Sequence, residues 1–288
     1  MKRILITGAN SYIGTSFEKW VSQYPDKYSV DTVDIKSKKW QDKSFKRYDV
    51  IFHVAGIVHI KEKKVEKYFK VNRDLTIEVA EKAKREGVKQ FIFLSTMGVY
   101  GVETGYITID TKPNPKTPYA KSKYEAEQYL LKMNTNNFKI AIIRPPIVYG
   151  KGCKGNYPRL AKLALKIPIF PNIQNKRSMI YIDNLCEFIR VLIDNWSSGL
   201  YFPQNKEYVN ITELVKLVRQ AHGKRTIVTK AFNWGIIVGL KFSKTFRKVF
   251  GTLVYKKGMP GGPDALLNDE TIKYETISFG ESIKHTEY

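Results

Sequence analysis

The sequence predicts an α/β fold, a doubly wound parallel sheet joined to a smaller mixed α/β C-terminal domain. Three observations carry this expectation. Short apolar runs alternate with amphipathic stretches through the first half, the pattern of successive βαβ units. The first apolar run, Ile4-Leu5-Ile6, opens directly into a glycine-punctuated turn. After Pro145-Pro146 the alternation gives way to loops rich in Gly, Pro and Asn.

The elements follow in order. Residues 3–7 read as the first strand, 12–24 as a helix and 29–34 as the second strand. Residues 49–55 carry Val50, Ile51, Phe52 and Val54, a run suited to a strand covered on both faces. The segment 35–48 is short for a helix and a strand, so the sheet is expected to be abbreviated there. Val71, Leu75, Val79 and Ala83 recur along one side of a long helix over 69–86, which Gly87 is placed to end. A buried strand over 90–95, a helix over 118–132 and a strand over 139–144 complete the first domain, bounded at 1–150. In 151–288, read as mainly substrate-binding, helices are expected near 157–166, 184–195 and 211–222. A segment at about 177–203 is expected to return to the sheet.

Hydrophobic content of 43% and charged content of 26% are those of a globular protein with an ample core. The apolar run at the start stops at Thr7-Gly8, too short for a signal sequence, and the expected compartment is cytoplasmic. Cys153 and Cys186 make neither a disulfide framework nor a metal site, and no metal is expected. The net charge of +22 is concentrated where acids are missing, between Glu127 and Asp183 and again between Glu213 and Asp264. Solubility, a diphosphate ligand and an anionic membrane surface all account for such charge. No nucleic-acid motif accompanies it, so nucleic acid is not an expected partner.

The turn Gly8-Ala9-Asn10-Ser11-Tyr12-Ile13-Gly14 joins a strand to a helix. Glycine lets backbone approach a pyrophosphate, and the helix start offers amides and a positive dipole end. Asp34 stands about twenty positions after Gly14, where its carboxylate can accept ribose hydroxyls. A Rossmann-type cofactor site follows, formed by Gly8, Asn10, Ser11, Tyr12, Ile13, Gly14 and Asp34. The acid favours NAD, while Lys36, Lys38 and Lys39 leave NADP open.

Tyr119 and Lys123 lie four residues apart, hence on one helix face. A neighbouring ammonium favours the phenolate, which would let the tyrosine act as a base nearer neutral pH. With Ser95-Thr96 at the end of an intervening strand, the set points to hydride chemistry on an alcohol: Tyr119 takes the proton and Thr96 orients the reacting oxygen.

Assembled, these residues resemble the extended short-chain dehydrogenase/reductase family, in its NAD-dependent epimerase/dehydratase branch typified by UDP-glucose 4-epimerase. The likeness continues through His53-Val54-Ala55-Gly56, Val71-Asn72, Ser95-Thr96-Met97-Gly98-Val99-Tyr100-Gly101 and Arg144-Pro145-Pro146-Ile147-Val148-Tyr149-Gly150. It includes Arg177-Ser178-Met179-Ile180-Tyr181-Ile182-Asp183, where Ser178 replaces the usual acid, and it fades beyond Gly223. Ser11 stands where the family's middle glycine falls. The resemblance implies that Ala55, Gly56 and Asn72 line the cofactor, that Thr96, Tyr119 and Lys123 are catalytic, and that Lys123 holds the nicotinamide ribose. It further implies that Thr96, Asn156 and Arg177 meet a nucleotide-diphosphate sugar, UDP-linked, with no second diphosphate arginine in the last thirty residues. The implied activity is 4-epimerisation through a transient 4-keto sugar. The alternative is a 4-keto reductase of surface polysaccharide synthesis. A homodimer through the helices around Leu75 and Tyr124 is also implied.

Readings of another class are a non-catalytic nucleotide-binding module and a membrane-surface module. The second rests on 232–250, where Trp234, Ile237, Phe242, Phe246 and Phe250 mingle with Lys241, Lys244, Arg247 and Lys248. A helix there could lie on anionic lipid or pack on its own domain or a subunit partner. His53 is expected to be structural, and His59 a loop residue.

Overall fold

A computed structural model describes the chain except for residues 59–63, 232, 264, 268, 269 and 272. His59 lies outside the described residues. The chain divides into two compact units. The first comprises Met1–Gly101, Lys112–Pro145 and Cys186–Phe202. The second comprises Val102–Thr111, Pro146–Leu185 and Pro203–Tyr288. The division placed at residue 150 thus falls after Pro145, and the returning segment is the shorter Cys186–Phe202. Residues 102–111 leave the first unit because the strand Gly105–Ile107 pairs in parallel with Leu253–Tyr255.

The first unit is built on six parallel strands: β1 (Lys2–Thr7), β2 (Tyr28–Val33), β3 (Val50–His53), β4 (Gln90–Leu94), β5 (Lys139–Ile143) and β6 (Gly199–Tyr201). Their order is β6-β5-β4-β3-β1-β2. Every residue of β3 and β4 is buried, as apolar strands covered on both faces require. Leu5, Ile51, Phe91 and Phe93 from the sheet pack with Val79, Ala83 and Leu130 from helices. Only the short 3₁₀ turn Lys38–Gln41 separates β2 from β3, so β2 is the sheet edge and the expected abbreviation is present.

The helix expected over 69–86 is interrupted. Val65–Phe69 and Leu75–Arg85 are α-helical, and the π-helical turn Lys70–Asp74 lies between them. Such a wide turn re-aims a side chain. Here it accompanies a fully buried Asn72 whose carbonyl accepts the Thr76 hydroxyl at 2.9 Å.

In the second unit, short parallel pairs join Ile147–Tyr149 to Met179–Tyr181 and Ile169–Pro171 to Ile227–Thr229. Helices Asn156–Lys166 and Ile211–Ala221 pack beside them. The segment 232–250 forms two helices, Asn233–Phe242 and Lys244–Phe250. Ser243 divides them because its side chain caps the second, accepting the Phe246 amide at 3.4 Å. No helix among the described residues is long and apolar enough to cross a membrane.

Candidate active site

The carboxyl end of β1 lies between β2 and β3, where the strand order reverses and where open α/β sheets bind ligands. Gly8 and Asn10 both have positive φ, 111° and 62°, which folds the turn tightly back onto the sheet. The amides of Gly8 and Ala9 donate to the Val33 carbonyl at 3.0 and 3.3 Å, tying the turn to the end of β2. A Cβ on Gly8 would stand 2.9 Å from the Ala55 nitrogen, so the turn and the end of β3 are in close approach.

Ser11 does more than stand in for a small residue. It caps helix Tyr12–Val21, accepting the Gly14 amide on its hydroxyl at 3.2 Å. The same hydroxyl would be 2.5 Å from a Cβ on Gly14, so the capping serine leaves no room for a side chain at position 14. First-turn amides of this helix, Ile13 among them, have no carbonyl four residues back, the usual setting for an anion. Asp34 is exposed just past β2, its Oδ1 accepting the Lys36 amide at 2.9 Å. A positive-φ turn, a capped helix start and an acid at the next strand end fit a dinucleotide: Gly8 to Gly14 would hold its diphosphate and Asp34 its adenosine ribose.

Replacing Gly8 with alanine tests this cradle. Positive φ and the contact with Ala55 predict a loss of about 1–3 kcal/mol in stability together with weakened NAD binding. Chemical denaturation and cofactor titration check both.

At the end of β4, Thr96 opens the 3₁₀ turn Met97–Tyr100 and accepts the Gly98 amide at 3.0 Å. Its hydroxyl neighbours the Tyr119 phenol. Tyr119 is in the first turn of helix Pro118–Met133, which has proline at its start and a cap from Thr117 to the Ala120 amide at 3.2 Å. One turn later the Lys123 ammonium is 3% exposed, donates to the Leu94 carbonyl at 2.9 Å and lies 4.5 Å from the Phe93 ring centre.

The electrostatics differ from the sequence expectation. Burial raises the Tyr119 phenol to about 12, and the nearby Thr96 hydroxyl only partly offsets this. Burial lowers Lys123 to about 7, against the opposing influence of Glu127. The ammonium is directed to the Leu94 carbonyl, and burial favours its neutral form.

Gly56 is the remaining wall. A Cβ there would be 3.1 Å from Asn72 Oδ1 and 3.2 Å from Lys123 Nζ. Asn72 is placed as a fastener: its Oδ1 accepts the Ile57 amide at 2.8 Å, and its Nδ2 donates to the Ile57 carbonyl at 3.1 Å and the Ser122 hydroxyl at 3.2 Å. It sets the strand-end loop against helix Pro118–Met133, with its amide already committed. His53 bridges Thr7 and Thr76 at 2.7 and 3.0 Å, and burial, assisted by the Lys123 charge, lowers it to about 3, so it is neutral and structural.

Sequence reasoning missed the group beneath these residues. Glu127 is fully buried and forms a bidentate pair with Arg144, with Nη2 to Oε2 at 2.5 Å and Nε to Oε1 at 3.0 Å. It also accepts the Ser95 hydroxyl, while Arg144 Nη1 donates to the Tyr100 hydroxyl at 2.8 Å. The available signal was Glu127 one turn after Lys123 on the same helix.

In the second unit Asn156 and Arg177 line one cavity of about 360 Å³. Gly155, with φ 105°, precedes the helix that Asn156 begins. Arg177 is 7% exposed, donates through Nη1 to the Gly251 carbonyl at 2.9 Å and makes no ion pair among the described residues. Burial lowers its pKa. Arg159 and Lys248 line the same cavity. Ser178, where an acid was expected, is buried and accepts the Tyr255 amide at 2.8 Å.

A glycine-turn dinucleotide cradle beside a Thr96, Tyr119 and Lys123 set defines an NAD(P)-dependent enzyme of short-chain dehydrogenase/reductase type. The chain belongs to the NAD dependent epimerase/dehydratase family, whose model matches residues 4–211. It is 31% identical to UDP-glucose 4-epimerase of Vibrio cholerae over 278 residues, covering 87% of this chain and 83% of the relative. It is 26% identical to N-acetyl-alpha-D-glucosaminyl-diphospho-ditrans,octacis-undecaprenol 4-epimerase of Escherichia coli O157:H7, covering 77% and 73% of the two chains. The fold is shared with a UDP-glucuronic acid 4-epimerase from Bacillus cereus solved with a UDP sugar and NAD. That match has a TM-score of 0.70 at 20% identity and covers 99% and 98% of the two chains.

Proposed function

We propose that the protein is an NAD-dependent 4-epimerase of a UDP-linked hexose or N-acetylhexosamine. The observation that carries the chemistry is Tyr119 in the first turn of helix Pro118–Met133, one helical turn before a buried Lys123 that donates to the Leu94 carbonyl at 2.9 Å. The diphosphate reading is supported by the buried Arg177, which has no carboxylate partner among the described residues and shares its cavity with Asn156, Arg159 and Lys248. A guanidinium matches phosphate oxygens in a bidentate manner. The named substrates of the Vibrio and E. coli relatives share a sugar diphosphate, which supports the class.

Bound NAD supplies the hydride acceptor. Tyr119 accepts the proton of the sugar C-4 hydroxyl, and Thr96 hydrogen-bonds the same oxygen and holds it in line. Ribose hydroxyls of bound NAD would add acceptors to Lys123 and favour its charged form, and that charge with the positive nicotinamide would lower the phenol. In the return step the opposite face of the C-4 carbonyl takes the hydride back, and Tyr119 gives its proton to the oxygen. Homodimerisation through helices Leu75–Arg85 and Pro118–Met133 belongs to the same reading, supported by the exposed Tyr129 and Leu131.

The test is proton NMR of the purified protein with UDP-galactose or UDP-N-acetylgalactosamine and no added nicotinamide. Appearance of the gluco epimer is expected. No conversion, even with NAD supplied, would overturn the epimerase assignment. A second reading, reduction of a ready-made 4-keto sugar, is favoured by the neutral Tyr119 phenol, the form that donates a proton. Oxidation of NAD(P)H by 4-keto sugars would select it.

A further inference from the structure

Helix Asn233–Phe242 is apolar almost all round, with Asn233 and Lys241 its only polar side chains. Such a helix is ordinarily enclosed. Only one side of this one is: Ile236 is buried, and Gly239 packs so closely that an added Cβ would lie 2.4 Å from Phe246 Cδ1. The other side is open. Trp234 is 73% exposed, Ile237 59%, Val238 48% and Phe242 84%. These positions recur at three- and four-residue intervals and form one stripe, an apolar patch of the kind that marks a binding surface.

The charge around the stripe chooses between occupants. Lys230, Lys241 and Lys244 are exposed at its ends, and no acidic residue occurs between Glu213 and Asp264. A second copy meeting the stripe about a twofold axis would set these cations against their own counterparts. A surface carrying negative headgroups over an apolar interior complements both the lysines and the aromatic side chains.

We propose that the open face of helix Asn233–Phe242 docks on an anionic lipid surface, with Trp234 and Phe242 entering the headgroup boundary and the flanking lysines meeting lipid phosphates. The following helix, Lys244–Phe250, contributes Thr245, Lys248 and Val249 to the Arg177 cavity. Arg247 fastens the two helices, its Nη1 donating to the carbonyls of Leu240 and Lys241 at 3.2 and 3.1 Å. The docked helix thus adjoins the cavity wall, which suits a diphosphate sugar handled at a membrane surface.

Flotation with vesicles of phosphatidylcholine containing about one-third phosphatidylglycerol tests the proposal, because anionic headgroups and an apolar boundary are both then present. The wild-type protein is expected to float with these vesicles and not with pure phosphatidylcholine. Trp234→Ser/Phe242→Ser, both outside the cavity, should weaken flotation by at least about tenfold while leaving turnover of the soluble UDP-sugar unchanged. Lys241→Gln/Lys244→Gln should weaken it less and flatten its salt dependence. Absence of flotation at low salt, or flotation undiminished in the aromatic variant, would overturn the proposal. So would a wild-type dimer that the aromatic variant converts to monomer without any vesicle binding, since the face would then be a self-interface. The binding readout requires no turnover, so it stands apart from the epimerase assignment.

Discussion

Tyr119→Phe is expected to lower turnover by about 10²–10⁴-fold, the usual contribution of a positioned proton-transfer group. Cofactor binding should be retained, because the variant leaves the Gly8 turn, Asp34 and Lys123 in place. Thr96 keeps its bond from the Gly98 amide, so the fold should be little disturbed. The argument is sharpened by the state of the phenol. At about 12, only about one molecule in 10⁵ carries the phenolate at pH 7. Any base role therefore depends on a positive charge arriving close to the phenolic oxygen, and the rate of the oxidative step should climb as pH rises. In the reducing direction the neutral phenol is already the required donor, and the rate should be flat over the same range. Turnover measured in both directions against pH checks this. Unchanged turnover in Tyr119→Phe would remove the tyrosine from the mechanism.

The second large effect is on stability. Glu127→Ala would leave the Arg144 guanidinium buried without its counter-charge, and removing one partner of such a pair typically costs about 3–5 kcal/mol. Whole domains are stable by only about 5–15 kcal/mol, so a substantial part of the margin would go. The double variant Glu127→Gln/Arg144→Met should recover much of the loss, since neither side chain is then charged. Urea denaturation of the three proteins reads this directly. If Glu127→Ala and the double variant were equally destabilised, the loss would come from packing and not from the unpaired charge. Glu127 also supports the Lys123 charge, so its removal should shift the pH dependence of turnover, which a purely structural role would leave alone.

Much of the fold was legible because parallel strands and amphipathic helices carry strong periodic signals. Phe52, Phe91 and Ile142 announce strands covered on both faces, and each is fully buried. The six-stranded parallel sheet, its abbreviation after Asp34 and the start of the helix at Asn156 all follow from such local patterns. What was not legible depends on groups distant in sequence. The exchange of residues 102–111 into the second unit is decided by pairing with Leu253–Tyr255, nearly 150 positions away. The π-helical turn at Lys70–Asp74 accompanies Asn72 contacts to the loop at Ile57, which periodicity cannot register. The direction of the Lys123 ammonium was not legible for a similar reason. A four-residue spacing places two side chains on one face, but it does not say that the Leu94 carbonyl receives the ammonium. Likewise, 232–250 has the composition of one basic amphipathic helix, and a serine cap at Ser243 makes it two.

The buried lysine has a thermodynamic consequence for the fold. Its ordinary value is 10.5, and folding brings it to about 7, so the unfolded chain holds a proton more tightly than the native one. That difference opposes folding by on the order of 4–5 kcal/mol at neutral pH. The penalty is complete below pH about 7 and fades as pH rises towards 10.5, the direction opposite to that of a salt-bridged lysine. The chain is thus built with part of its folding free energy withheld at one buried side chain. Any ligand that offers Lys123 hydrogen-bond acceptors returns that energy, which couples occupancy of the site to the survival of the fold.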